Sequence, residues 1–140
     1  MNKITCTLLC ASLAVGTTGC ATTQERLLDS EVSQVQIRSI QTRAFDTTDK
    51  ETTLRTVIAT LQDLGFVIDK ADAVLGSVSA TKLDHYSLRM TVTIRPRGEN
   101  QLLVRANGQY NIKPVIEPEP YQQFFTSFEK AMFLNAHQVD

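Results

Sequence analysis

Between residues 48 and 65 apolar side chains recur at intervals of three and four. Leu54, Val57, Ile58, Leu61 and Leu64 share one helical face, while Arg55, Thr56, Gln62 and Asp63 lie largely elsewhere. Thr48-Asp49-Lys50-Glu51 has the Thr-x-x-Glu spacing of a capping box, in which hydroxyl and carboxylate each answer an exposed backbone amide. Gly65 can take up the left-handed conformation that stops a helix. The pattern predicts an amphipathic helix of about four turns. From Tyr86 the period becomes two: Leu88, Met90, Val92 and Ile94 face one way, and Arg89, Thr91, Thr93 and Arg95 the other. Pro96-Arg97-Gly98-Glu99-Asn100 ends this strand, and Leu102, Val104 and Ala106 begin a return strand reaching about Asn111. The two strands read as a hairpin.

Around these anchors the pattern is looser. Val32 to Phe45 reads as one long strand, with Val35, Ile37 and Phe45 on one parity, Ile40 and Ala44 on the other, and a bulge near Ser39 to reconcile them. Its glutamines and arginines suit the wet side of an antiparallel sheet. Phe66-Val67-Ile68 starts a second strand, Asp69 to Ala73 a polar loop, and Leu75 to Thr81 a third strand, with Gly76 marking a bulge. Lys82 to His85 reads as a turn. Pro114, Pro118 and Pro120 exclude a central strand over residues 112–120, and a helix is expected from about Pro120. Tyr121, Phe124, Phe125, Phe128, Ala131 and Met132 then form a stripe at helical spacing. Burying such rings at about 2 kcal/mol or more each would dominate folding, so the stripe is expected in the core. Phe133 and Leu134 broaden it and could leave part of the helix for another chain. The order βαββββα predicts an α+β fold: a two-layer sandwich, with a curved antiparallel sheet and two helices on one face.

The N-terminus changes the picture of where such a domain works. Lys3 precedes an apolar run from Ile4 to Val15, too short to cross a bilayer, and Gly16 to Gly19 form a small-residue exit. These features predict a signal peptide over residues 1–19. The small residues run directly into Cys20, which resembles the bacterial lipobox. Thr18 and Gly19 fit that pattern, and Thr17 stands where leucine is usual. The resemblance implies that Cys20 receives a diacylglyceryl group and becomes the mature N-terminus. It also implies that Ala21, rather than an aspartate, directs the protein to the outer membrane, facing the periplasm. Residues 20–30 then form a lipidated tether reaching at most ~35 Å, and residues 31–140 a single domain. Cys6 and Cys10 would leave with the signal, so an exported domain without disulfides must rely on its core.

Charge and candidate chemistry narrow the function further. The chain carries a net charge of −1, and losing Lys3 with the leader makes it −2, which gives no electrostatic case for nucleic acid. Asp63, Asp69 and Asp72 lack the EF-hand spacing, so they are expected to be helix-end and loop charges, and no metal or cofactor signature appears. His85 and His137 are the only histidines, and no nucleophile elbow, zincin, P-loop or dinucleotide motif accompanies them. A non-catalytic protein is therefore expected. The hairpin offers one candidate surface: its pairing would bring Arg89, Arg95 and Arg105, with threonines, onto one sheet face that could receive an anionic partner. The plainer alternative is a solvent face, neutralised by carboxylates of adjacent strands.

The element order resembles the helix-grip domains in the C lipoprotein of the outer-membrane β-barrel assembly machine. Gln41-Thr42-Arg43-Ala44-Phe45-Asp46, Leu61-Gln62-Asp63-Leu64-Gly65-Phe66 and Leu75-Gly76 are also similar to segments of small uncharacterised proteobacterial lipoproteins. The resemblance implies an envelope accessory or interaction module, held to the membrane through Cys20 and serving a protein partner in assembly, secretion or transport. The competing expectation is a periplasmic carrier of a small ligand or lipid, using the space between the sheet and the C-terminal helix.

Overall fold

A six-stranded antiparallel sheet with helices on one face organises the residues that the computed structural model describes, 34–84 and 86–136. The leader, Cys20, the tether, His85 and His137 lie outside them. In chain order the elements are a helix at residues 34–41 (α1), Thr42–Phe45 (β1), Lys50–Asp63 (α2), Val67–Asp72 (β2), Ser77–Asp84 (β3), Tyr86–Arg97 (β4), Gln101–Tyr110 (β5), Lys113–Pro114 (β6) and Glu119–Ala136 (α3). The strands run β1-β5-β4-β3-β2 across the sheet, and β6 pairs with the far end of β5. This is the α+β architecture that the pattern predicts.

The first element corrects the expectation of a strand from Val32 to Phe45: residues 34–41 are helical, and only Thr42–Phe45 pair, with Arg105 to Leu102 of β5. Ile37 and Ile40, three apart, are half-buried, whereas Val35 is 65% exposed. The parity break near Ser39 is thus a change of element, not a bulge. The capping box is also displaced by one residue. Asp49 caps α2: its carboxylate accepts from the backbone amide of Thr52 at 2.9 Å and from the Thr52 hydroxyl at 2.6 Å. At the other end Gly65 adopts φ +83° and stops the helix as expected.

The strands extend further than their apolar residues suggest. β2 continues through Asp69 to Asp72, and a register shift between Ile68 and Lys70 marks the bulge at Asp69. β3 starts at Ser77, because Leu75 and Gly76 belong to the β2–β3 turn, and runs through the expected turn to Asp84. Gly76 has φ +67°, and an added Cβ there would lie 2.8 Å from the carbonyl oxygen of Ile94, so this turn is restricted to glycine. β4 passes through Pro96 to Arg97. Pairing with β3 ends at Ser77 opposite Thr93, so on that side Pro96 has no neighbour to which an N–H would be owed. Pro114 lies in the two-residue edge strand β6, and Pro120 occupies the first turn of α3, both places where a missing N–H costs little.

Alternate residues of the central strands build the core. Met90, Val92 and Ile94 of β4, Leu102, Val104 and Ala106 of β5, and Val78 and Ala80 of β3 are buried against Leu54, Val57 and Leu61 of α2 and the α3 stripe. Tyr121, Phe124, Phe125 and Phe128 are completely or almost completely buried. Phe128 meets Phe45 edge-on with ring centres 5.0 Å apart and stacks on Phe124 at 5.7 Å. The Tyr121 hydroxyl sits at the gap between β1 and β6 along the edge of β5. It donates to the carbonyl of Val115 at 2.8 Å and accepts from the Gln41 side-chain amide and from the amide of Gly108, each at 3.1 Å. One donor and two acceptor positions are all used, so a phenol in the core leaves no polar group unpaired. Gly108 permits this approach, since a Cβ there would be 3.3 Å from the Tyr121 oxygen.

Candidate functional site

The residues that alternate with the core positions form the other face of the sheet. On β4 these are Arg89, Thr91, Thr93, Arg95 and Arg97; on β5 they are Gln101, Leu103, Arg105, Asn107 and Gln109. No described helix packs on this face. The register sets Arg95 opposite Leu103, Thr93 opposite Arg105, Thr91 opposite Asn107 and Arg89 opposite Gln109. Arg95 and Arg105 are therefore diagonal neighbours, ~7–8 Å apart between backbones, and Arg97 stands two residues further along the same strand. Arg89 is six residues from Arg95, or ~20 Å at the rise of a strand. The three arginines expected to share a face do share it.

Two further cations, Arg97 and Lys70, stand on this face although the sequence pattern places both in connections. Arg97 belongs to the same alternation as Arg95, and only the intervening Pro96 hid it. Lys70, placed opposite Ser79, was assigned to a loop that is strand. The signal for Arg97 was available in the period-two spacing; that for Lys70 was not, because the bulge at Asp69 shifts the parity.

The described aspartates that border this face on β1 and β2 are each held by a neutral donor. Asp69 accepts from the Thr81 hydroxyl at 2.6 Å, Asp72 from the amide of Leu75 at 2.9 Å, and Asp46, at the end of β1, from the Gln101 side chain at 2.6 Å. The ion pairs among the described residues are Arg43 with Glu129 and Arg55 with Glu51, both away from this face. Among the described residues, none of Arg89, Arg95, Arg97 and Arg105 forms an ion pair with a carboxylate. The Arg105 Nε is buried and has no hydrogen-bond partner. Between the arginines lie hydroxyls and amides, with the Ser79 and Thr91 oxygens 3.2 Å apart. Chemically this is a row of guanidinium donors interleaved with groups that both donate and accept.

A concavity of about 540 Å³ lies at the start of α2, lined by Phe45, Asp46, Asp49, Thr52, Met132 and Phe133 among others. Phe133 is 62% exposed there. Both aspartates are already engaged, Asp46 by Gln101 and Asp49 by Thr52. Between the sheet and α3 the side chains of Tyr121, Phe124, Phe125 and Phe128 are buried in the core. No group of three or more histidine, cysteine, aspartate or glutamate side chains among the described residues is arranged to hold a metal ion. No described helix is long and apolar enough to cross a membrane. No family model matches the chain, and no curated protein is significantly similar to it.

Proposed function

We propose that the chain is a lipid-anchored envelope lipoprotein of the outer membrane, tethered through Cys20, whose domain is a non-catalytic interaction module for an assembly, secretion or transport complex. The observation that carries this reading is the open face of the sheet, where four arginines on β4 and β5 have no acidic partner among the described residues. Arginine is retained at interfaces because its planar fork binds carboxylates in pairs of hydrogen bonds, while an unpaired arginine does little for the stability of its own domain. The anchor rests on the run from Lys3 to Cys20. A lipidated N-terminus on a tether of about ten residues keeps the domain within ~35 Å of one membrane, which raises its effective concentration for partners there.

Two measurements test the two halves. Cys20→Ser should release the protein from the membrane fraction and abolish lipid labelling; a variant that fractionates like the wild type removes the anchor. A photoreactive amino acid replacing Thr91, at the centre of the open face, should capture an envelope protein in cells, while one replacing Gln123 on the exposed side of α3 should not. Equal capture from both positions, or none from Thr91, removes the face as the contact surface.

A further inference from the structure

The arrangement of charge on the open face selects a shape of partner as well as a sign. The basic residues of β4 and β5 form a strip two strands wide, about 5 Å between strand axes. From Arg89 to Arg97 it is eight residues long, or ~26 Å. Asp69 and Asp72, with Lys70 between them, lie beyond β3 on β2, and Asp46 lies at the end of β1. A broad anionic surface laid on this face would press negative groups onto those carboxylates as well as onto the arginines. A ligand one chain wide, running along the strands, meets the guanidinium groups and avoids the flanks.

Its chemistry is narrowed by what lies between the arginines. Thr91, Thr93 and Asn107 present hydroxyl and amide groups along the middle of the strip, suited to the alternating N–H and C=O of an extended backbone. No aromatic side chain stands on this face among the described residues, so it lacks the stacking platform by which single-stranded nucleic acids are held. The cationic groups are unevenly spaced: Arg95, Arg97 and Arg105 cluster at one end, and Arg89 stands ~13 Å along the strand from the level of Arg105 and ~20 Å from Arg95. Arg105, whose buried Nε has no acceptor among the described residues, lies in the cluster.

We infer that the β4–β5 strip binds an extended acidic segment of a partner protein, about eight residues long at ~3.3 Å per residue, with carboxylates grouped at one end over Arg95, Arg97 and Arg105 and a further one over Arg89. This rests on the open face being the contact surface, and it adds the class of ligand and its direction along the strands.

The test uses the full chain purified in detergent and a fluorescent ten-residue peptide of serine and threonine with two glutamates near one end and one near the other. Binding measured by anisotropy in 50 mM salt should weaken at least tenfold when the glutamates become glutamines, and at least tenfold in the Arg95→Gln/Arg105→Gln double variant. Melting of that variant should not be lowered, and Lys130→Gln, on the exposed side of α3, should bind as the wild type does. Arg89→Gln alone should cost less than the double variant. A peptide that does not bind at millimolar concentration, that binds the double variant equally, or that binds no better than ten-nucleotide single-stranded DNA overturns the inference. So do vesicles of anionic phospholipid that compete as effectively as the unlabelled peptide. If Thr91 captures a partner in cells while the peptide fails, the ligand class is wrong and the contact surface stands; if Thr91 captures nothing, the surface itself is wrong.

Discussion

The two faces of the β4–β5 hairpin come from alternate residues of the same strands, and they are held by different physics. On one face Met90, Val92, Ile94, Leu102, Val104 and Ala106 are buried beneath two helices; on the other, arginines, threonines and amides stand in the open with few partners among themselves. Burial of the first face stabilises the domain in proportion to apolar area removed from water. The second face contributes little to stability, which leaves its residues free to be chosen for a partner. Substitutions should therefore separate: large losses of folding on one side, small changes in folding with large changes in binding on the other.

The largest expected effect is at Phe128, packed between Phe45 and Phe124 and fully buried. Phe128→Ala should lower unfolding free energy by about 3–5 kcal/mol in urea titrations, from lost transfer energy and the cavity left behind. A loss below ~1 kcal/mol would mean that this face is not the main source of stability.

Tyr121→Phe is next, at about 2–4 kcal/mol, because the ring still fits while the Gln41 amide, the Gly108 N–H and the Val115 carbonyl lose a shared partner in a buried place. The loss should fall if Gln41→Leu is made first, since one of the orphaned groups is then gone. Additive losses in the double variant would argue that the three bonds do not form one network.

Arg105→Met should have the opposite sign. It removes a buried Nε that has no acceptor while keeping a long apolar stem over the sheet, so thermal unfolding should shift upward by the equivalent of ~1 kcal/mol. Stabilisation combined with weaker partner binding would sharpen the contrast between the faces. Destabilisation would show that Arg105 serves the fold itself.

How much of this is legible in the amino-acid sequence follows from the length of each pattern. α2, α3, β4 and β5 carry several repeats of one period, so their buried sides could be named residue by residue. Residues 34–41 could not be assigned, because Gln, Arg and Ser around Ile37 and Ile40 fit either period over so few turns. β2 was cut short because its middle is polar and its bulge at Asp69 breaks the alternation. The basic face was legible in Arg89, Arg95 and Arg105, but the isolation of these arginines from Asp46, Asp69 and Asp72 depends on side-chain hydrogen bonds that no spacing encodes. The Tyr121 junction lay furthest from reach, since Gln41 and Tyr121 are 80 positions apart.

The smallest expected effect concerns an exposed charge that, unlike the open-face arginines, has its partners. Hydrogen bonds from the hydroxyl and the backbone amide of Thr52 hold the Asp49 carboxyl below its ordinary value of 3.8. Because the folded value is lowered, the cap's contribution is fully present above about pH 4 and is lost as pH falls through the folded value. Asp49→Asn keeps an acceptor but removes the charge, so it should flatten this acid limb of the stability profile while changing stability little at pH 7. Asp49→Ala should lower stability at both pH values, by less than Tyr121→Phe does. The measurement is unfolding in urea at steps between pH 2.5 and 7 for the wild type and both variants. An unchanged acid limb in Asp49→Asn would mean that the charge at this cap contributes no more to folding than the unpaired arginines across the sheet.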